Sequence, residues 1–194
     1  GGLSYFNSKT ETFYTYNNKN AWLIDENGSR KKMPGYSVKA IIEDRNGDLL
    51  IGTWSAGLMR FRRGGNTFYS YPRLNTTNSA YSLFLDKHNH LWVGTWGYGV
   101  VRLDNTGNVR QPEMHQYPYS TNHFDTFYKI VHDPVTKTLW ACTREGVCYL
   151  EEDMPNAEWK GYTSIGNNPL NFNNDIATDG KGNIWLCTQN NGIL

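Results

Sequence analysis

Chemistry in this sequence would have to come from five histidines, three cysteines, and aromatic and polar residues that recur at fixed intervals. His88 and His90 are alternate residues in a turn-like stretch, a spacing at which two imidazoles can share a metal ion. The surrounding pattern places no further ligand beside them, so neither a metal nor a cofactor is expected. His123-Phe124-Asp125 pairs a base with a carboxylate on an irregular link. A solitary pair of that kind is more often solvated loop than acid–base machinery. No Ser or Cys stands in a nucleophile motif, so no catalytic residue is assigned. Asp44-Arg45-Asn46-Gly47-Asp48 opens like a calcium loop but lacks the closing glutamate. The matching stretches Lys87-His88-Asn89 and Gly180-Lys181-Gly182 drop the oxygen ligands, and a hairpin turn is the better reading.

Binding is the other chemistry on offer. Trp54 and Trp96 each follow a Gly-Thr pair and lie outside the apolar columns of the sequence, while Tyr98, Arg144 and Gln189 hold the same zone in successive copies. Rings that stack on sugar faces, joined by Arg and Gln donors, would make a shallow carbohydrate site. The competing role for the same rings is to cap hairpins or seal the groove between repeats.

The elements that must position these residues are repeats. Leu49-Leu50-Ile51-Gly52-Thr53, Leu91-Trp92-Val93-Gly94-Thr95, Leu139-Trp140-Ala141-Cys142-Thr143 and Ile184-Trp185-Leu186-Cys187-Thr188 are copies of one stretch, and their threonines stand 42, 48 and 45 residues apart. A period of that size means a repeat architecture. Each copy follows an apolar pair (Ile41-Ile42, Leu83-Phe84, Ile130-Val131, Ile176-Ala177) and an Asp-containing turn, and precedes a Gly with apolar residues after it. A fourth segment carries aromatic pairs three apart, Phe13 with Tyr16, Phe68 with Tyr71 and Trp159 with Tyr162, or in one copy Met114 with Tyr117. Runs of adjacent apolar residues imply a strand covered on both faces. Four short strands per repeat predict an all-β fold of β-propeller blades, about four four-stranded repeats at residues 1–58, 59–100, 101–147 and 148–194. Residues 17–37 form the longest link, and Trp22 to Gly28 inside it could add a small hairpin. Trp92, Trp140 and Trp185 share one strand column and are expected in the core.

Composition narrows the partners. Lys and Arg total 19 against 18 Asp and Glu, which supports neither nucleic-acid binding nor attachment to anionic lipid. No stretch approaches the roughly 18 apolar residues of a membrane span, so direct membrane insertion by this segment is not expected. The chain opens Gly1-Gly2-Leu3, which reads as a piece of a longer polypeptide. Cys142 and Cys187 fall in the column of Gly52 and Gly94 and read as small buried residues; a Cys142–Cys148 bridge across a hairpin is the competing expectation. Open blade edges would invite self-association.

Residues 38–58, Val38-Lys39-Ala40-Ile41-Ile42-Glu43-Asp44 through Gly52-Thr53 to Gly57-Leu58, resemble the two-component regulator propeller repeat, with Leu50 in its Trp slot. Residues 80–100 are similar, and the third and fourth copies put Cys for Gly. The resemblance covers essentially the whole chain. It implies the sensor region of hybrid two-component histidine kinases of Bacteroides-like gut bacteria, lying in the periplasm and responding to glycan fragments, with the repeats forming a segment of a larger, seven-bladed propeller. An oligosaccharide or other small ligand is therefore the expected partner, with Trp54, Trp96, Tyr98, Arg144 and Gln189 as its candidate contacts. An interaction scaffold is the alternative, and a streptogramin-lyase-like propeller enzyme the third reading.

Overall fold

The computed structural model describes residues 3–74, 78–117, 126–151, 157–189 and 192–194. Among them every regular element is a β-strand, and the chain forms two compact units, residues 1–80 with 105–113, and residues 81–104 with 114–194.

In the first unit, β1 (Leu3–Asn7) and β2 (Thr12–Tyr16) pair as an antiparallel hairpin. Next come β3 (Trp22–Ile24) and β4 (Arg30–Lys32), the small hairpin expected within the long link. Asp25 closes it by accepting the backbone N–H groups of Asn27 and Ser29. Four strands follow as an antiparallel meander, β5 (Val38–Glu43), β6 (Leu49–Thr53), β7 (Leu58–Phe61) and β8 (Thr67–Ser70). β3 extends this blade by pairing parallel to β8, giving the order β4-β3-β8-β7-β6-β5. Leu50 and Ile51 are adjacent on β6 yet both wholly buried, as a strand covered on both faces requires. Ile51, Met59, Phe61 and Phe68 pack with Leu3 and Tyr16 of the β1–β2 hairpin.

Arg60 on β7 is the buried charge of this unit. Its Nη2 donates to Asp44 at 2.7 Å, its Nε to Asp48 at 2.8 Å and its Nη1 to the Thr106 carbonyl at 3.0 Å. The Tyr71 hydroxyl donates to the same carbonyl at 2.6 Å. Burial, only partly offset by Arg60, pushes the Tyr71 pKa up to about 12, so the hydroxyl keeps its proton. Asp44 also accepts the N–H groups of Asn46 and Asp48. The stretch that opens like a calcium loop is thus a hairpin turn whose carboxylates are committed to backbone and guanidinium.

The second unit holds three further blades. The first is β9 (Ser82–Leu85), β10 (Leu91–Gly94), β11 (Val100–Asp104) and β12 (Glu113–Tyr117), and the next is β13 (Phe127–Asp133), β14 (Thr138–Thr143), β15 (Val147–Glu151) and β16 (Lys160–Tyr162). After a two-residue ladder, β17 (Ser164–Ile165) with β18 (Asn168–Pro169), the last blade is β19 (Asn173–Thr178), β20 (Ile184–Thr188) and β21 (Gly192–Ile193). Trp92, Phe127, Ile130, Cys148 and Trp159 form the core between the first two of these blades, and Cys142, Leu170, Ile176 and Leu186 the core between the next two. Gly94 is glycine because a Cβ there would lie 2.9 Å from the Phe127 carbonyl oxygen of the neighbouring blade. Gly52 in the first unit meets the Ala80 carbonyl at 2.6 Å in the same way.

Three expectations are corrected here. Trp92 is buried and Trp140 half-buried, but Trp185 is 50% exposed, and Cys187 in the glycine column is exposed too. Within its unit the β19–β21 sheet packs on β13 and β14 from one side, which covers Leu186 but not its neighbours Trp185 and Cys187, turned to the other face. All three cysteines are free thiols. Cys148 stands opposite Ala141 in the ladder, and Cys142 opposite Val147. The one-residue offset sends the two sulfurs into different cores, so no bridge can form between them.

Candidate functional site

The link between the second and third strands of each blade is fixed by its threonine. Thr53 Oγ1 donates to the Gly57 carbonyl at 2.9 Å, Thr95 to Gly99 at 2.8 Å, Thr143 to Gly146 at 3.0 Å and Thr188 to Gly192 at 3.2 Å. Each hydroxyl closes a tight loop, and the residue just after it is held at the rim of its blade. Those residues are Trp54, Trp96, Arg144 and Gln189. A short hydroxyl reaching a carbonyl a few residues on is what a local side-chain turn needs, which is why Thr recurs in all four copies.

Trp54 belongs to the first unit. It is 40% exposed, its backbone N–H donates to Ser37, and Lys39 Nζ lies 5.2 Å from its ring centroid. Trp96 is half-buried in the second unit, bridged to Thr126 and set against Tyr81 and Tyr128 at centroid distances of 5.8 and 6.3 Å. Trp96 is thus packed against two tyrosine rings, while Tyr98 is an exposed ring.

Arg144 and Gln189 are brought together by a residue the repeat pattern does not single out. Phe172 donates its N–H to the Arg144 carbonyl at 2.7 Å and accepts from the Gln189 N–H at 3.0 Å. It holds a left-handed φ of +53° and leaves its ring 49% exposed. Thr163, Asn171 and Phe172 join Arg144 and Glu145 around a pocket of about 560 Å³. The Arg144 Nη2 donates to Glu145 Oε1 at 3.0 Å, so an ion pair lines one wall. Beside it, Asn173 is wholly buried and its Nδ2 serves the carbonyls of Thr143, Gly146 and Leu170 at 2.9 to 3.1 Å, fixing the loop backbone. An exposed ring, a guanidinium, a carboxylate, an amide and a hydroxyl around one opening suit a small polyhydroxylated ligand. Sequence reasoning reached Arg144 and Gln189 but missed Phe172, Asn171, Thr163 and Glu145. The only signal for most of them is that they sit on a link of variable length. His123 and Asp125 lie outside the described residues.

A second feature was not anticipated. Tyr5, Phe6, Tyr14 and Tyr16 of the β1–β2 hairpin face Ile41, Leu49 and Phe61 across a groove of about 760 Å³ in the first unit. Phe13, on the same hairpin, is 77% exposed.

Residues 32–55 and 76–97 match the family model described as two component regulator propeller. No curated protein matches the chain. Among solved structures, the extracellular domain of BT4673 from B. thetaiotaomicron, described as a one component or a hybrid two component system, superposes with TM-score 0.73 at 20% identity, covering 100% of this chain and 24% of that one. PorZ, a surface component of the type-IX secretion system of Porphyromonas gingivalis, gives TM-score 0.64 at 16% identity over 97% of this chain and 28% of its own. An inactive variant of virginiamycin B lyase from Staphylococcus aureus gives 0.65 at 15% over 98% and 67%. At these identities the likeness is one of fold, the β-propeller. The chain spans about a quarter of the length of the BT4673 domain it matches.

Proposed function

We propose, from the match of residues 32–55 and 76–97 to the two component regulator propeller model, that this chain is a ligand-recognising segment of the periplasmic sensor part of a hybrid two-component system, and that its ligand is an oligosaccharide. The observation that carries this reading is the Arg144–Phe172 pocket, in which one ring face and four kinds of polar group converge. A sugar ring stacks its C–H face on an aromatic side chain while Arg144, Glu145 and Asn171 exchange hydrogen bonds with its hydroxyls. The segment acts by binding, and phosphotransfer belongs to other parts of such a system. Phe172 also suggests how occupancy would be transmitted. Its backbone joins the link of one blade to the link of the next, so a ligand seated on it favours one packing of those blades over another.

Calorimetric titration of the chain with a panel of neutral and acidic oligosaccharides tests this. Phe172→Ala and Arg144→Gln should each weaken binding by tenfold or more, and Trp96→Ala by less. Absence of binding across the panel, or binding that neither pocket variant changes, would overturn the assignment.

The exposed aromatic groove of the first unit favours a second reading for that unit, an interaction surface. Its exposed rings would pack against those of a second copy of the chain.

A further inference from the structure

The near balance of charge over the whole chain conceals an uneven distribution. The first unit holds 12 Lys and Arg against 7 Asp and Glu, and the second holds 7 against 11. Part of the first unit's surplus is gathered where β3 and β4 extend its blade. Arg30, Lys31 and Lys32 make up β4, and all three are exposed. Register partners share a face of a sheet, so Arg30 and Lys32 stand on the side of their partners Ile24 and Trp22, and Tyr69 of β8, opposite Ile24, joins them. The Arg30 guanidinium carbon lies 4.0 Å from the Trp22 ring centroid, and Lys32 Nζ lies 3.8 Å from it. Arg62, also exposed, stands 5.1 Å from the Tyr69 centroid. Arg110 arrives from residues 105–113 of the same unit and lies against the β3–β4 turn, where a Cβ on Gly28 would be 2.8 Å from its Nη2. Gly28 holds a φ of +83°, so both the turn and the approach of Arg110 require glycine. Among the described residues, none of the side chains of Arg30, Lys32, Arg62 and Arg110 pairs with a carboxylate. Of the two acids in the turn, Asp25 accepts the N–H groups of Asn27 and Ser29, and Glu26 is exposed.

We propose that this face of the first unit, with Arg30, Lys32, Arg62 and Arg110 around the Trp22 and Tyr69 rings, binds a linear acidic polysaccharide through its carboxylate or sulfate groups. It is a site apart from the Arg144–Phe172 pocket, which belongs to the second unit. Like charges gathered without counter-charges raise the local potential, and an anion relieves it. A ring attracts a cation through its π face without using the cation's N–H groups, so the donors of Arg30, Lys32 and Arg62 remain for an oxyanion. The same contact restrains long side chains that would otherwise have to be ordered by the ligand. Guanidinium groups also grip carboxylates and similar oxyanions with two parallel hydrogen bonds. Arg30 and Lys32 are two residues apart on an extended strand, about 7 Å, so they can meet successive charges along a stretched polymer. A net charge of only +1 on the whole chain gives little long-range attraction to an anionic membrane or a nucleic acid. An acidic sugar chain needs no such field, because its contacts can be confined to this patch.

Dextran sulfate and polygalacturonate are the probes, titrated calorimetrically into the 194-residue chain, with neutral dextran as the control. Both acidic polymers should bind at about 0.01 M salt and bind at least tenfold more weakly at about 0.3 M, where exposed charges are screened. Arg30→Gln combined with Lys32→Gln should weaken binding tenfold or more, and Arg110→Gln threefold or more. Lys137→Gln, which removes an exposed cation of the second unit, should change it less than twofold. Circular dichroism checks that each variant folds. Should the double variant fail to fold, slower acetylation of Lys32 than of Lys137 in the unaltered chain with dextran sulfate bound gives the same answer. No saturable binding of either acidic polymer at low salt, a loss in Lys137→Gln equal to that in the double variant, or single-stranded DNA or phosphatidylglycerol vesicles binding as tightly as the acidic polymers would each overturn the site.

Discussion

Replacing Arg60 by methionine tests the electrostatic arrangement that ties β7 to the turn before β6. Methionine keeps most of the stem and removes the guanidinium. What remains is the Asp44 carboxylate, only 3% exposed, with no cation beside it. Removing one partner of a buried ion pair costs about 3 to 5 kcal/mol, because the other charge stays desolvated. Three features set this case at the low end. Asp44 keeps two backbone donors, Asn46 and Asp48, at 2.8 and 3.0 Å. Asp48 is 17% exposed and can hydrate, and the Thr106 carbonyl keeps the Tyr71 hydroxyl. We therefore expect a loss of about 3 kcal/mol, roughly a 6 to 12 °C fall in Tm for a chain of this size, measured by urea denaturation and thermal melting. Asp44→Asn alone should cost less, about 1 to 2 kcal/mol, since Arg60 retains Asp48 and Thr106. The double variant should recover part of the Arg60→Met loss, giving a coupling of at least about 1 kcal/mol in a double-mutant cycle. A loss below about 1 kcal/mol for Arg60→Met, or strict additivity with Asp44→Asn, would refute the reasoning.

Gly94→Ala should destabilise by about 1 to 3 kcal/mol, because its Cβ would press on the Ser82 hydroxyl and on the Cβ and carbonyl oxygen of Phe127, and the backbone oxygen cannot swing away; an unchanged denaturation midpoint would show that the blades part easily. If the aromatic groove beside β1 and β2 takes up a second copy, sedimentation velocity should show a reversible dimer that grows with concentration. Phe6→Ser with Phe13→Ser should then shift it to monomer, whereas a monomer at all concentrations tested would remove the interaction reading.

The features legible in the sequence are those whose cause is local. Asp44, Asp86, Asp133 and Asp179 each accept backbone N–H groups two to four residues ahead, and each motif threonine reaches a carbonyl three or four residues on. Such contacts leave a column in the repeat because every copy needs them. Burial is different, since it belongs to a pair of sheets. Trp92 and Trp185 occupy one column, yet the first is buried and the second half-exposed, because only the first has its face covered by further packing within its unit. The candidate pocket and the contacts around Asp104 fall on the non-local side of this division. Phe172 owes its place to a left-handed residue at the end of a link with no fixed length, and Asp104 comes within reach of His90 and of His115 only after β11 and β12 fold back beside the β9–β10 turn. A repeat protein places its specific chemistry where the period breaks, because a residue required in every blade is already committed to holding the blades together. On that argument a link that no other copy reproduces is a better guide to binding than the tryptophans that recur.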